Sequence, residues 1–227
     1  MKRSEINSIL QAAVEFLDRM NWKLPPFAYW RPWEWEDKGP EYDEIRDNML
    51  GWDITDFGSG CFTQTGLVLF TLRNGSLTDD RYPKSYAEKI LIVQPYQVTP
   101  CHFHWHKRED IINRGGGDLL IEVYNSTPEG ELDNTPVILA LDGRRRQVPA
   151  GTILRIRPGE SVTLTPGLYH RFWGEPTRGP VLLGEVSQVN DDNTDNRFLE
   201  PMGRFPDIEE DESPLYLLCN EYPRAKV

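Results

Sequence analysis

From residue 60 onward, turn residues cut the chain into short apolar segments, and this punctuation leaves few folds open. The segments cover residues 62–72, 89–93, 97–106, 118–124, 137–141, 152–156, 161–164, 170–173 and 181–186. Between them stand Asn74-Gly75, Asn125-Ser126-Thr127-Pro128, Asp142-Gly143, Pro158-Gly159, Pro166-Gly167 and Gly179-Pro180. Runs of this length suit strands better than helices, and Asn-Gly is a hairpin-type dipeptide. Many short strands with regular turn signals predict an all-β sandwich or barrel. A length of 227 residues fits one such unit, and no repeat divides it. The expectation is a single domain over 1–227, with a helix and arm in 1–60 and a β-barrel in 61–227.

The first sixty residues read differently. Ser4 can cap a helix running to Met20, with Ile6, Ile9, Leu10, Ala13, Leu17 and Met20 at helical spacing. Pro25, Pro26 and Pro32 rule out a regular helix in the next stretch. There Trp22, Phe27, Tyr29, Trp30, Trp33 and Trp35 form an aromatic arm expected to cover the barrel or a neighbouring subunit. A short helix over 41–50 should end at Gly51. Apolar area in the arm suggests a homodimer. The acidic run Glu209-Glu210-Asp211-Glu212 reads as a solvated loop.

Charge and cysteine usage exclude several classes. A net charge of −11 argues against nucleic acid, whose phosphates need a basic surface. Three scattered cysteines contain no CxxC, so neither a disulfide framework nor a thiolate zinc site is suggested. With no secretory apolar region and no membrane-length apolar run, the expectation is a soluble cytoplasmic protein.

Three of the four histidines fall at alternate positions in Cys101-His102-Phe103-His104-Trp105-His106-Lys107-Arg108-Glu109-Asp110. On a strand, residues at i and i+2 share a face, so His102 and His104 point together. Imidazole is the commonest side-chain metal ligand, and Glu109 adds an oxygen donor. With His170 behind Pro166-Gly167, these residues make a candidate three-histidine, one-carboxylate metal site. On a six-coordinate ion it leaves two positions for substrate or water. His106 is not needed as a ligand and is expected at the mouth of the site or just behind the ligands.

His102-x-His104-x4-Glu109 with Gly116, and Gly159 with Pro166-Gly167 and His170, resemble the two cupin motifs. The second motif has Pro-Gly where Pro-x-Gly is usual, and Gly174 where Asn is common. The resemblance implies a double-stranded β-barrel, or jelly roll, with a divalent metal near its mouth. A narrower resemblance runs along most of the chain. It is carried by Tyr86-Ala87-Glu88-Lys89, Gln97-Val98-Thr99-Pro100, the histidine segment, Arg114-Gly115-Gly116-Gly117 and residues 190–198. These resemble the D-lyxose isomerases, which interconvert D-lyxose and D-xylulose, often D-mannose and D-fructose, usually with manganese. The resemblance implies His102, His104, Glu109 and His170 as metal ligands. Imidazole and carboxylate without thiolate suit manganese or iron.

Such an isomerase, an intramolecular oxidoreductase, works through an enediol stabilised by the metal and needs an acid–base group beside the sugar carbons. Glu185 is the first candidate, because it alternates with Val181 and Leu183 on one strand face; Glu200 is the second. Lys107 and Lys89 can orient or protonate sugar oxygens, and Asp195 with Arg197 can bind hydroxyls. Two other cupin classes use the same ligands, a non-haem iron dioxygenase and a non-catalytic sugar-binding protein. The polar residues Lys107, Glu185 and 191–197 favour a polyhydroxylated substrate.

Overall fold

A computed structural model describes residues 1–225. The chain opens with helix α1 (Arg3–Arg19), followed by three short 3-10 turns and the five-residue helix α2 (Asp43–Asp47). The strands then run β1 (Gly51–Thr55), β2 (Leu67–Arg73), β3 (Tyr86–Val93), β4 (Thr99–His104), β5 (Glu109–Gly116), β6 (Leu119–Ser126) and β7 (Leu132–Asp133). Next come β8 (Val137–Leu141), β9 (Arg144–Val148), β10 (Thr152–Ile156), β11 (Ser161–Leu164), β12 (Leu168–Gly174) and β13 (Val181–Gln188). A single helical turn, α3 (Asp192–Asp195), precedes β14 (Asn196–Phe198).

The strands form two antiparallel sheets, the cupin double-stranded barrel expected from the motifs. The larger has the order β1-β2-β3-β13-β5-β11-β8-β9, and the smaller β10-β6-β12-β4-β14 with β7 beside β6. Their inner faces share one core that includes Leu91, Ile111, Ile121, Val162, Leu183 and Phe172. Part of the outer face of the larger sheet is covered as well. Val68, Phe70, Ile90, Ile92 and Leu182, offset by one residue from the inner set, pack with Ile6, Leu10, Ala13, Phe16 and Leu17 of α1. Because both faces are buried, β2, β3 and β13 read as continuous apolar runs rather than alternating ones. Burying one α1 leucine or isoleucine contributes roughly 1.5–3 kcal/mol.

The arm lies on its own barrel. Phe27 packs on Phe70, Trp35 stacks on Tyr222, and Trp52 donates its indole N–H to the Ala28 carbonyl at 2.8 Å. Trp33 alone among the arm tryptophans is largely exposed, at 65%. The 3-10 turns each begin at a proline, Pro26, Pro32 and Pro40, whose fixed φ starts a helical turn that its neighbours do not extend.

Several local expectations are corrected. Lys2, not Ser4, is the N-cap of α1, and no side chain of its own caps the helix. Asp211 of the acidic run does this work instead, accepting the Ser4 backbone N–H at 2.9 Å, and Glu212 ties the run to the helix by accepting from the Asn7 side-chain amide at 2.5 Å. Anchored to α1 in this way, it is not merely a solvated loop. Asn74-Gly75 does not close a two-residue hairpin, since β3 begins only at Tyr86. Gly75 is demanded there by close approach, because a Cβ would fall 1.8 Å from the Lys84 carbonyl oxygen. The two-residue hairpin is Asp142-Gly143 between β8 and β9, with φ of 50° and 76° at the two positions. Strand β1 lies inside the stretch read as arm; its pairing with β2 makes it part of the larger sheet.

Candidate active site

The histidines come from the smaller sheet and the carboxylates from the larger. His102 and His104 alternate on β4, and His170 on β12 is the direct cross-strand partner of His102. One ring nitrogen from each of the three lies within 4.8 Å of the others. Glu109, the first residue of β5, enters from the opposite sheet, its carboxylate 3.3 Å from His170 Nε2 and 3.5 Å from His104 Nε2. All four side chains are buried, and they line a cavity of about 320 Å³ between the sheets.

The backbone sets the tautomers. Nδ1 of His102 lies 2.8 Å from the Pro100 carbonyl, and Nδ1 of His170 lies 3.0 Å from the Leu168 carbonyl. A carbonyl only accepts, so each Nδ1 carries the proton and each Nε2 keeps a lone pair facing inward. Burial and the neighbouring His170 and His104 push His102 well below the usual imidazole range. Burial and Lys107 push His104 down too. Neutral imidazoles are the ligating form. His170 Nε2 and both ring nitrogens of His104 are buried without a hydrogen-bond partner among the described residues. Such orphaned atoms call for an explanation, and a divalent cation fits one nitrogen of each ring together with the Glu109 carboxylate, the His104 Nδ1 lying 3.9 Å from Asp195.

Beside this cluster lies a chain of alternating charges. Lys107 Nζ is 2.7 Å from Glu109 Oε2 and 3.1 Å from Glu185 Oε1. Lys89 Nζ stands 3.3 Å from the same Glu185 oxygen, which also accepts from the Ser187 hydroxyl at 3.0 Å. Burial opposes ionisation of both carboxyls. For Glu109, Lys107 and His104 outweigh it and hold the group well below the usual carboxylate range. For Glu185, Lys107 and Lys89 do the same, so it too is held low. Glu185 follows Val181 and Leu183 onto the inner face of β13, where those two belong to the core.

The remaining sequence candidates separate. Lys89 and Lys107 line the cavity, whereas Asp195, Arg197 and Glu200 do not. Asp195 is buried but turned to the backbone: its carboxylate accepts N–H groups from His106 at 2.7 Å and Lys107 at 3.1 Å. It therefore shapes the turn that delivers Lys107 and lies off the cavity wall. Arg197 lies between Asn196 and Phe198, which line the cavity, so the strand period points it to the other side, toward Glu131. Glu200 lies beyond the end of β14 and is exposed. His106 is exposed and contributes its backbone.

Sequence reasoning missed six polar cavity or near-cavity residues, one of them Thr55 at the end of β1. Thr99 and Asn196 line the smaller sheet, Asp53 and Arg204 pair at 3.2 Å within the cavity wall, and Ser187 supports Glu185. Thr99 and Asn196 stand inside segments that carried the isomerase resemblance, but no spacing rule marked them. Asp53 was hidden because β1 was read as arm.

With this geometry in hand, comparisons with known proteins are specific. The D-lyxose isomerase family model matches residues 1–222. The chain is 54% identical to the D-lyxose/D-mannose isomerase of Serratia proteamaculans, over 99% of each chain. It is 50% identical to the D-lyxose/D-mannose isomerase of Escherichia coli O157:H7, over 98% of each. The fold is also similar to that of L-ribose isomerase from Cellulomonas parahominis, with TM-score 0.61, 16% identity and 92% and 98% of the two chains covered. The Acinetobacter sp. DL28 L-ribose isomerase in complex with L-ribose matches with TM-score 0.59, 15% identity and 88% and 93% coverage.

Proposed function

Because this chain belongs to the D-lyxose isomerase family, we propose that it interconverts D-lyxose with D-xylulose and D-mannose with D-fructose in the cavity between its sheets. The observation that carries this reading is the run Glu109–Lys107–Glu185–Lys89, which sets a buried carboxylate beside three histidines and a fourth ligand. A cavity of about 320 Å³ is at the lower end of small-molecule sites, roughly 300–1,000 Å³, and suits one monosaccharide.

His102, His104, Glu109 and His170 would hold a divalent ion, manganese in our reading. When bound, that ion supplies Lewis acidity for the negative charge that develops on the sugar oxygens. The chain's own residues do the rest. Aldose–ketose isomerisation moves a proton between adjacent carbons and exchanges a hydroxyl and a carbonyl, through an enediol. Glu185, ionised between two lysines, takes the proton from one carbon and returns it to the next. Lys107 and Lys89 hold that carboxylate in place and face the sugar oxygens, and Lys107 gives a proton to the carbonyl oxygen as it becomes a hydroxyl and recovers one from the hydroxyl oxygen as it becomes the carbonyl. Leu69, Leu91, Phe172 and Phe198 line the cavity beside these groups and keep its dielectric low.

We also propose a homodimer: the arm packs largely on its own barrel but leaves Trp33 exposed. Ile153 and Tyr96 remain exposed, and Tyr96 and Trp173 line one shallow surface depression.

The test is direct. Protein stripped with a chelator, reloaded with manganese or magnesium and checked by elemental analysis is incubated with D-lyxose and D-mannose while ketose formation is followed. Manganese should restore turnover better than magnesium, which prefers oxygen-rich sites. Full activity in verified metal-free protein overturns the proposed mechanism, and no ketose from either sugar overturns the proposed reaction.

A further inference from the structure

Strand β4 carries an irregularity next to the metal ligands. His102 pairs with His170, yet Thr99 pairs with Phe172, so three steps along β4 match two along β12. In an uninterrupted strand, residues three apart face opposite sides. The extra residue re-aims the chain, and Thr99 joins His102 in lining the cavity. Pro100, which has no N–H to give a ladder, sits at this point, and its carbonyl is the partner of His102 Nδ1. Thr99 is buried, at 3% exposure, and its hydroxyl has no hydrogen-bond partner among the described residues.

A second group matches it. Asn196 on β14 is the cross-strand partner of His104, so the two side chains are neighbours on the inner face. Its side-chain oxygen is likewise buried without a partner among the described residues, and it lines the same cavity. Buried polar atoms in folded proteins nearly always have partners. Two exceptions on one wall, each beside a metal-ligating histidine and facing the acid–base wall of Glu185 and Lys107, mark a place prepared for a polar ligand.

We propose that Thr99 Oγ1 and the Asn196 side-chain amide are substrate-positioning groups that hydrogen-bond the sugar's hydroxyls from the wall opposite Glu185. Thr99 can both donate and accept, and the Asn196 amide offers an oxygen acceptor and two N–H donors. A polyhydroxylated chain has the complementary groups at every carbon. The proposal rests on the sugar-isomerase reading and names residues that reading did not use.

Thr99→Val keeps the shape and removes the hydroxyl; Thr99→Ser keeps the hydroxyl and removes the methyl; Asn196→Ala removes the amide. The probe is the alditol obtained by reducing D-lyxose, which cannot isomerise, titrated calorimetrically into manganese-loaded protein. Thr99→Val and Asn196→Ala should each weaken alditol binding about three- to tenfold, the net worth of one neutral hydrogen bond. KM for D-lyxose should rise in parallel, while Thr99→Ser stays near wild type. Metal content should hold, and thermal stability should be unchanged or higher, because an unsatisfied buried group has been removed. Unchanged affinity in Thr99→Val and Asn196→Ala overturns the proposal, as it would if internal water or packing accounted for both atoms. Equal weakening in Thr99→Ser, or lost manganese in Thr99→Val, overturns it too, because the effect then runs through packing or His102. If wild-type protein turns over D-lyxose while these results fail, only this inference falls; if wild-type protein neither binds the alditol nor forms ketose, the sugar-isomerase reading falls first.

Discussion

Glu109 and Glu185 are two buried carboxylates joined through one ammonium group, yet they face different partners. Glu109 approaches two imidazoles, whereas Glu185 meets lysines and the Ser187 hydroxyl. Neutralising each should therefore have a different signature. Glu185→Gln keeps shape and hydrogen-bonding capacity but cannot accept the proton. Turnover should fall by roughly 10²–10⁴-fold, the usual worth of general acid–base catalysis, with manganese content unchanged. In Glu109→Gln, manganese content and turnover should fall together. Elemental analysis beside the rate measurement separates them, and normal turnover by Glu185→Gln would remove it as the base. Lys107, which touches both carboxylates, would then be the leading group. Glu200→Gln is the matching control, since Glu200 is exposed and lies off the cavity wall.

At the scale of elements, α1 is held by a clamp from the far end of the chain. Lys2 and Arg3 place positive charge at a helix N-terminus, where the macrodipole disfavours it. The Arg3 side chain is buried, and its guanidinium donates to Glu210 at 2.6 and 2.9 Å and also pairs with Glu221. Removing it leaves Glu221 without its cation. Arg3→Gln should lower stability by about 2 kcal/mol, less than the ~3–5 of a fully buried pair because Glu210 is half exposed. That corresponds to a drop of about 4–8 °C in Tm for a chain of this size, read by scanning calorimetry. The clamp should also be pH-sensitive. Hydrogen bonding from Arg3 holds the Glu210 carboxyl below its ordinary value, and bonds from the Ser4 hydroxyl and backbone do so for Asp211. A carboxyl whose folded pKa is depressed adds stability above its unfolded value and loses it as pH falls through the folded one. The protection factor of the amides at the start of α1, exchange measured against the intrinsic rate at the same pH, should therefore fall from about pH 4 downward. Protection that persists well below that range would refute the clamp.

For the whole molecule, the two sheets meet at the site, since the smaller sheet supplies three histidines and the larger supplies Glu109, Glu185 and Lys89. Part of the larger sheet is covered outside by α1 and the arm, leaving Ile138 of β8 exposed, and the smaller sheet keeps exposed Ile153 on β10. Light scattering should give a dimer mass at micromolar concentration. Ile153→Glu, a surface change that leaves the core alone, should shift the protein toward monomer. A monomer mass for the wild-type protein sinks the proposal, and an unchanged dimer in Ile153→Glu moves the interface elsewhere. Among the described residues no helix is long and apolar enough to cross a membrane.

The sequence by itself determined what local chemistry can specify. Period-2 spacing put His102 and His104 on one face, and the same period carried Glu185 inward behind Val181 and Leu183. Turn dipeptides separated most strands, and helical spacing marked the buried stripe of α1. Other features arise from contacts between residues far apart in the chain. β5 begins at Glu109 and mixes charged, polar and apolar residues without a period-2 pattern, and β9 is mostly arginine. Neither looks like a strand until β13 and β11 pair with the first and β8 with the second. Asp195 resembled a sugar ligand in a polar run, but folding brought the backbone of His106 and Lys107 to its carboxylate first. Thr99 has no spacing that marks it; the β4 irregularity turns it inward, and that register exists only against β12. Side-chain type and period can be read along one strand, but the face a residue presents, and the charge it meets there, depend on which strands lie beside it.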